Sequence, residues 1–180
     1  MHKMDESRVA LKMVSGERLE LENSQICKEC GGICCLRAPC HWSPRDIEDL
    51  SYEGLKKFLK EKKYISIVRF PGYVTELGKC GFENNRFSFY ILRTRTRGTN
   101  IASIGKNLKK DDLCMLLKPD GCSISFEERP RGARLLVPKR EEECEHLYDL
   151  YECISEWKDY QDVLRKLFWY FRLNKKWNKL

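Results

Sequence analysis

The sequence predicts a small, single α+β domain with a cysteine metal site, short strands and a long C-terminal helical segment. Three observations carry that prediction. Residues 64–70 and 86–95 are rich in β-branched and aromatic side chains, the composition of strands. Through the last 40 positions apolar residues recur at three- and four-residue steps, the period of a helix. Ten cysteines stand in a chain of 180 residues, and five of them crowd into residues 27–40.

The elements follow in chain order. Residues 1–26 form a polar N-terminal segment, with scattered Val9, Leu11, Val14, Leu19 and Leu21 that either pair as strands or lie on the surface. Residues 27–144 form the cysteine-cluster domain and residues 145–180 a helical extension packed on it. After the cysteine-dense stretch, Ser43 is a good N-cap and Pro44 suits the first helical position. Asp46 and Glu48 favour the positive end of the helix dipole. Ser51 caps a second helical stretch, with Leu55, Phe58 and Leu59 on its inner side and five lysines outside.

The strand over 64–70 comes next, then the strand over 86–95. The second alternates Phe87, Phe89 and Ile91 against Ser88, Tyr90 and Leu92. At its end Arg93, Arg95 and Arg97 share a face. Pro119-Asp120-Gly121 is a strong turn signal. From Leu147 through Leu150, Tyr151, Ile154, Trp157, Leu164, Leu167, Phe168 and Phe171 the spacing predicts helix, with no proline after residue 138.

Composition sets the context. Hydrophobic residues make up 42% and charged residues 34%, which excludes wholesale disorder. No apolar run reaches the 18 residues of a membrane span, so no membrane partner is expected. The first residues lack the apolar stretch of a secretory signal, so the expected setting is the cytoplasm. There, many cysteines point to metal ligation or redox chemistry and not to disulfides. Lys+Arg number 34 against 27 Asp+Glu, a net charge of +7 that permits an anionic partner.

The strongest signal is Cys27-Lys-Glu-Cys30-Gly-Gly-Ile-Cys34-Cys35, followed by Cys40-His41. Two thiolates separated by two residues bend back onto one metal, the geometry of zinc and iron–sulfur sites. Gly31 and Gly32 let the chain turn tightly past it. Adjacent side chains diverge, so one of Cys34 and Cys35 ligates while the other packs or is redox-active, or the two serve two metals of a cluster. Far along the chain, Cys114 and Cys122 flank the Pro-Asp-Gly turn, and Cys144 follows. The expected metal ligands are therefore Cys27, Cys30, Cys34, Cys35, Cys114, Cys122 and Cys144. Cys80 and Cys153 read as small buried hydrophobes. His41 reads equally as a ligand and as a surface histidine.

The ordered combination of Cys27-x2-Cys30-x3-Cys34-Cys35 and the Ser43-Pro44-Arg45-Asp46-Ile47 helix start resembles the YkgJ-like cysteine-cluster family, described as a zinc- or iron-chelating domain. Leu92-Arg93, Cys114-Met-Leu116, Gly121-Cys122-Ser-Ile124 and Arg129-Pro130 extend the resemblance across roughly residues 27–144. It implies a domain that holds Zn²⁺ or an iron–sulfur cluster. Ala133 departs from the family pattern, which has a cysteine there. One extra residue also lies between Ile124 and Arg129. Cys144, Cys40 and His41 are the candidate replacements. Distant relatives of that family that carry a similar cluster include flagellin lysine methylases.

Several functions fit these residues. The first is a metal-cluster protein. The second is a cluster-dependent modifying enzyme, methylase-like or redox, with Arg93, Arg129 and Arg134 binding an anionic substrate or cofactor. The third is a zinc-stabilised module for protein or nucleic acid, with Phe87, Phe89 and Tyr90 as a stacking platform. The fourth is a thiol redox sensor built on Cys34, Cys35 and Cys40. No nucleophile–base pair, P-loop or dinucleotide glycine motif selects a reaction.

Overall fold

The structure, a computed structural model, describes residues 29, 32, 35, 40–70, 88–105, 113–119, 121–137 and 145–174. Helices and a mixed sheet combine in the expected α+β architecture.

Ser43 does start a helical turn. Its Oγ accepts from the Arg45 N–H at 3.1 Å, while the Asp46 carboxylate accepts from the Ser43 N–H at 2.9 Å. The turn is a single 3-10 turn, Pro44–Asp46, and not a full helix. By Ile47 the backbone is extended, with φ −128° and ψ 128°. Asp46 is held from outside the turn, by the Arg131 N–H at 2.8 Å and by Arg134 at 2.6 Å. Helix α1, Tyr52–Glu61, then starts from Ser51, whose side chain accepts from the Gly54 N–H. It buries Leu55 and Leu59 and keeps Lys57 in water.

The main sheet has the order β1-β3-β2-β4. Its strands are β1 (His41–Trp42), β2 (Ile65–Phe70), β3 (Phe89–Thr94) and β4 (Ala102–Ile104). The first three are antiparallel, and β4 runs parallel to β2. Register sets Trp42, Leu92 and Ile67 on one face and His41, Arg93 and Ser66 on the other. All six residues of β3 are buried. Both faces of this strand are therefore covered: Tyr90 meets Phe168 of the C-terminal segment at 5.4 Å, while Phe89, also buried, stacks at 5.0 Å on Phe70, its register partner in β2. A stacking platform for bases is not available, because Phe89 and Tyr90 are core residues; Phe87 lies outside the described residues.

Two short pairs complete the strands: β5 (Leu117–Lys118) with β6 (Gly121–Cys122), and β7 (Leu136–Val137) with β8 (Glu145–His146). Between them lies a one-turn helix, α2, Arg131–Arg134.

The C-terminal helical segment is divided. Helix α3, Leu150–Glu156, begins with an Asp149/Glu152 capping box. A 3-10 turn over Lys158–Tyr160 leads into helix α4, Gln161–Leu173. Trp157 and Leu164 are seven residues apart, close to two turns, so the apolar spacing continues through a break that nothing in the residue types signals. Helix α4 lies across β2, β3 and β4 and against α1. Its Leu164, Leu167, Phe168 and Phe171 belong to the same core as Leu92 and Ile67. Tyr151, expected inside, is exposed. Among the described residues no helix is long and apolar enough to cross a membrane.

Candidate metal centre

Gly32 adopts φ +73°, the left-handed region that favours glycine. The Cys35 N–H returns to the Gly32 carbonyl at 2.9 Å, closing a tight turn. A Cβ on Gly32 would stand 2.6 Å from Leu117 Cδ1. The turn is therefore pressed against β5, and only a glycine fits without displacement.

The same contact brings the two cysteine segments together. The Cys114 N–H donates to the Cys35 carbonyl at 2.9 Å. Cys35 packs against the small apolar cluster of Cys114, Leu116 and Leu117, which Cys122 and Ile124 also flank. Cys122 is the register partner of Leu117. On its other side Cys35 packs against a second cluster, Cys40, Ala133 and Leu136. Cys35 thus sits between residues 114–122 and residues 133–136.

Of the expected ligands, the described residues include Cys35, Cys114 and Cys122. Cys27, Cys30, Cys34 and Cys144 lie outside them, as does Cys80. Among the described residues no group of three or more His, Cys, Asp or Glu side chains is arranged to hold a metal ion. The donor chemistry fits Zn²⁺ or iron–sulfur ligation, since thiolates suit both. The Gly32 turn against Leu117 is the local device that seats Cys35 against the cluster of Cys114, Leu116 and Leu117.

His41 is not a surface histidine. It is half-buried, and its Nδ1 is shut off from water with no hydrogen-bond partner among the described residues. Burial, with smaller contributions from Arg93 and His146, pushes its pKa down to about 3. The imidazole is therefore neutral at physiological pH. Cys153 is the core cysteine the sequence predicts: it is buried in the main core, where its thiol faces the Trp42 carbonyl at 3.7 Å. Burial is the largest cause holding that thiol well above the ordinary range.

The three expected anion-binding arginines separate. Arg129 and Arg134 line one groove of about 310 Å³, with Arg45, Lys62, Glu127 and Glu128 around it and the edge-to-face rings of Trp42 and Phe58 on its wall. Arg93 does not line this groove. It is buried in β3, opposite His41. Arg95 is also buried, donating to the carbonyls of Lys63 and Thr99, and only Arg97 of the three-arginine face is exposed.

Beneath the groove lies a polar network that residue patterns did not announce. Glu156 accepts from Ser43 Oγ at 2.5 Å and from Tyr148 OH at 2.8 Å, and pairs with Arg45 at 3.2 Å. Burial pushes the Asp46 carboxyl above its ordinary value, while the Arg131 and Ser43 amides and the Arg134 guanidinium pull it back. These groups come from residues 43–46, 131–134 and 148–156, so no local motif marks them.

Among known proteins, no family model, no curated protein and no solved structure matches the chain.

Proposed function

We propose that this chain is a cytoplasmic metal-binding cysteine-cluster protein, holding Zn²⁺ or an iron–sulfur cluster through thiolates from two distant segments. One observation carries the reading: Cys35 is hydrogen-bonded through its backbone to Cys114 and packs against the cluster of Cys114, Leu116 and Leu117, which Cys122 also flanks. Residues 79 positions apart in the chain meet at this point, next to the Cys27–Cys34 motif in sequence. Thiolates that meet only in the folded chain couple metal binding to folding.

The test is elemental analysis and a visible spectrum of protein purified without oxygen. Bound zinc in a colourless protein, or iron with inorganic sulfide and visible absorbance, is the expected result. Chelation then lowers the melting temperature by about 10 °C or more, given the size of structural metal-binding energies. Metal-free protein as isolated, or an unchanged melting curve after complete metal removal, overturns the reading.

A second reading, a cluster-dependent modifying enzyme, is favoured by the groove of Arg45, Lys62, Arg129 and Arg134, which adjoins Ala133 in the chain. It suits an anionic substrate. Arg134 is already paired with Asp46 and Arg45 with Glu156, so the available positive charge is modest.

A further inference from the structure

We infer that the outer face of helix α4, with the adjoining lysines of α1, docks on an anionic lipid surface. The inference is independent of the metal-binding reading and uses none of its residues.

Helix α4 turns Leu164, Leu167, Phe168 and Phe171 into the core. The opposite side of such a helix is ordinarily polar. Here its centre is apolar. Trp169 is 44% exposed, and Leu173, at 74%, is the most exposed large hydrophobic among the described residues. Four positions apart, the two stand one above the other along the outer side.

Cations flank this pair on both sides. By helical spacing Arg165 and Arg172 share one flank and Lys166 takes the other, and all three are exposed. Past Lys166, Tyr170 adjoins α1, whose Lys56 and Lys60 reach over its ring at 5.0 and 5.6 Å. The two helices together carry six Lys and Arg against three Asp and Glu. Each acid is answered locally: Glu53 by Lys56 at 3.1 Å, Glu61 by Lys57 at 4.0 Å and Asp162 by Arg165 at 2.9 Å. The face is therefore positive overall, with an apolar centre.

Charge and apolar projection together select the occupant. A second copy of this chain would set cation against cation across a two-fold interface. A nucleic acid would answer the charge and stack on Trp169, but it would leave Leu173 in water. An anionic lipid layer answers both features. Its headgroups meet the Lys and Arg side chains, the indole lies at headgroup level, and Leu173 enters the edge of the acyl region. Two apolar side chains that project from one helix suit insertion into a soft layer, and this attachment needs no membrane-spanning helix.

The test is co-sedimentation of the full chain with vesicles of phosphatidylcholine alone, and with vesicles containing about one-third phosphatidylserine. Binding is expected to the anionic vesicles only, and to weaken as salt is raised. Lys166→Glu is expected to weaken it about tenfold through charge. Leu173→Ser is expected to weaken it about tenfold through lost insertion. Both positions are exposed, so both variants should keep the wild-type melting curve. No binding to anionic vesicles overturns the inference, as does equal binding to both vesicle types. Wild-type binding by Leu173→Ser also overturns it, because charge alone would then hold the protein. Tighter binding to a single-stranded oligonucleotide than to anionic vesicles at the same salt assigns the face to nucleic acid instead. A wild-type dimer that Leu173→Ser dissociates assigns it to a second copy. Anionic-vesicle binding by metal-free protein supports this inference even where the metal-binding reading fails.

Discussion

At the scale of single residues, Gly32 has the clearest consequence. Its φ of +73° costs an L-residue about 1–2 kcal/mol, and an added Cβ meets Leu117 at 2.6 Å. Gly32→Ala is therefore expected to destabilise the protein by about 2 kcal/mol, measured by urea unfolding. A change below about 0.5 kcal/mol would show that the turn does not hold Cys35 against β5. The neighbouring glycine pair was legible as a tight turn beside the cysteine motif. That one of the pair abuts Leu117 was not, because Leu117 lies 85 positions away. The arginines at the end of β3 teach the same lesson. Alternation suggested a shared face for Arg93 and Arg95, but both are buried, Arg93 in a strand whose six residues are all covered and Arg95 just beyond it.

At the scale of elements, Gln161 joins the helices to the sheet. Strand β1 pairs with β3 only at Leu92 and Arg93, so the outer edge of β3 is open at Tyr90. There the Gln161 side chain takes the place of a strand. Its Oε1 accepts from the Tyr90 N–H at 2.8 Å, and its Nε2 donates to the Tyr90 carbonyl at 2.9 Å. The same Nε2 donates to the Trp157 carbonyl, which ties down the break between α3 and α4. Gln161→Ala leaves buried backbone groups unpaired and should cost about 2–4 kcal/mol in thermal or urea unfolding. A cost under about 1 kcal/mol would mean that water replaces the amide. Periodicity revealed the apolar face of these helices but not their division. The seven-residue step from Trp157 to Leu164 keeps phase, while the indole Nε1 is drawn to the Trp42 carbonyl at 2.6 Å.

For the whole molecule, two buried groups set the alkaline limit. Burial is the largest cause raising both the Cys153 thiol and the Tyr148 hydroxyl above their unfolded values. A group whose folded pKa is raised contributes stability that is complete below its unfolded pKa and is lost as pH rises. The unfolded chain ionises Cys153 from about pH 9 and Tyr148 from about pH 10, while the folded chain keeps both neutral. Stability should therefore fall above pH 9, by at most about 1.4 kcal/mol per pH unit for each group. Cys153→Ala should flatten that decline between pH 9 and 10.5. An unchanged slope in the variant would show that Cys153 ionises as readily in the folded protein as in the unfolded one.

Local chemistry was enough to read the helix start at Ser51, both long strands, Ser43 as an N-cap (though of a single 3-10 turn and not of a helix), the buried role of Cys153 and the candidate thiolates themselves. Each depends on residues within a few positions of one another, where propensity and spacing act directly. Packing alone decided that Cys35 lies between Cys114 and Cys40, that Arg93 is sealed in the sheet while Arg129 and Arg134 share a groove, and that Glu156 gathers Ser43, Tyr148 and Arg45. Those meetings join segments tens of residues apart, and which distant side chains come to share a neighbourhood depends on how the layers stack.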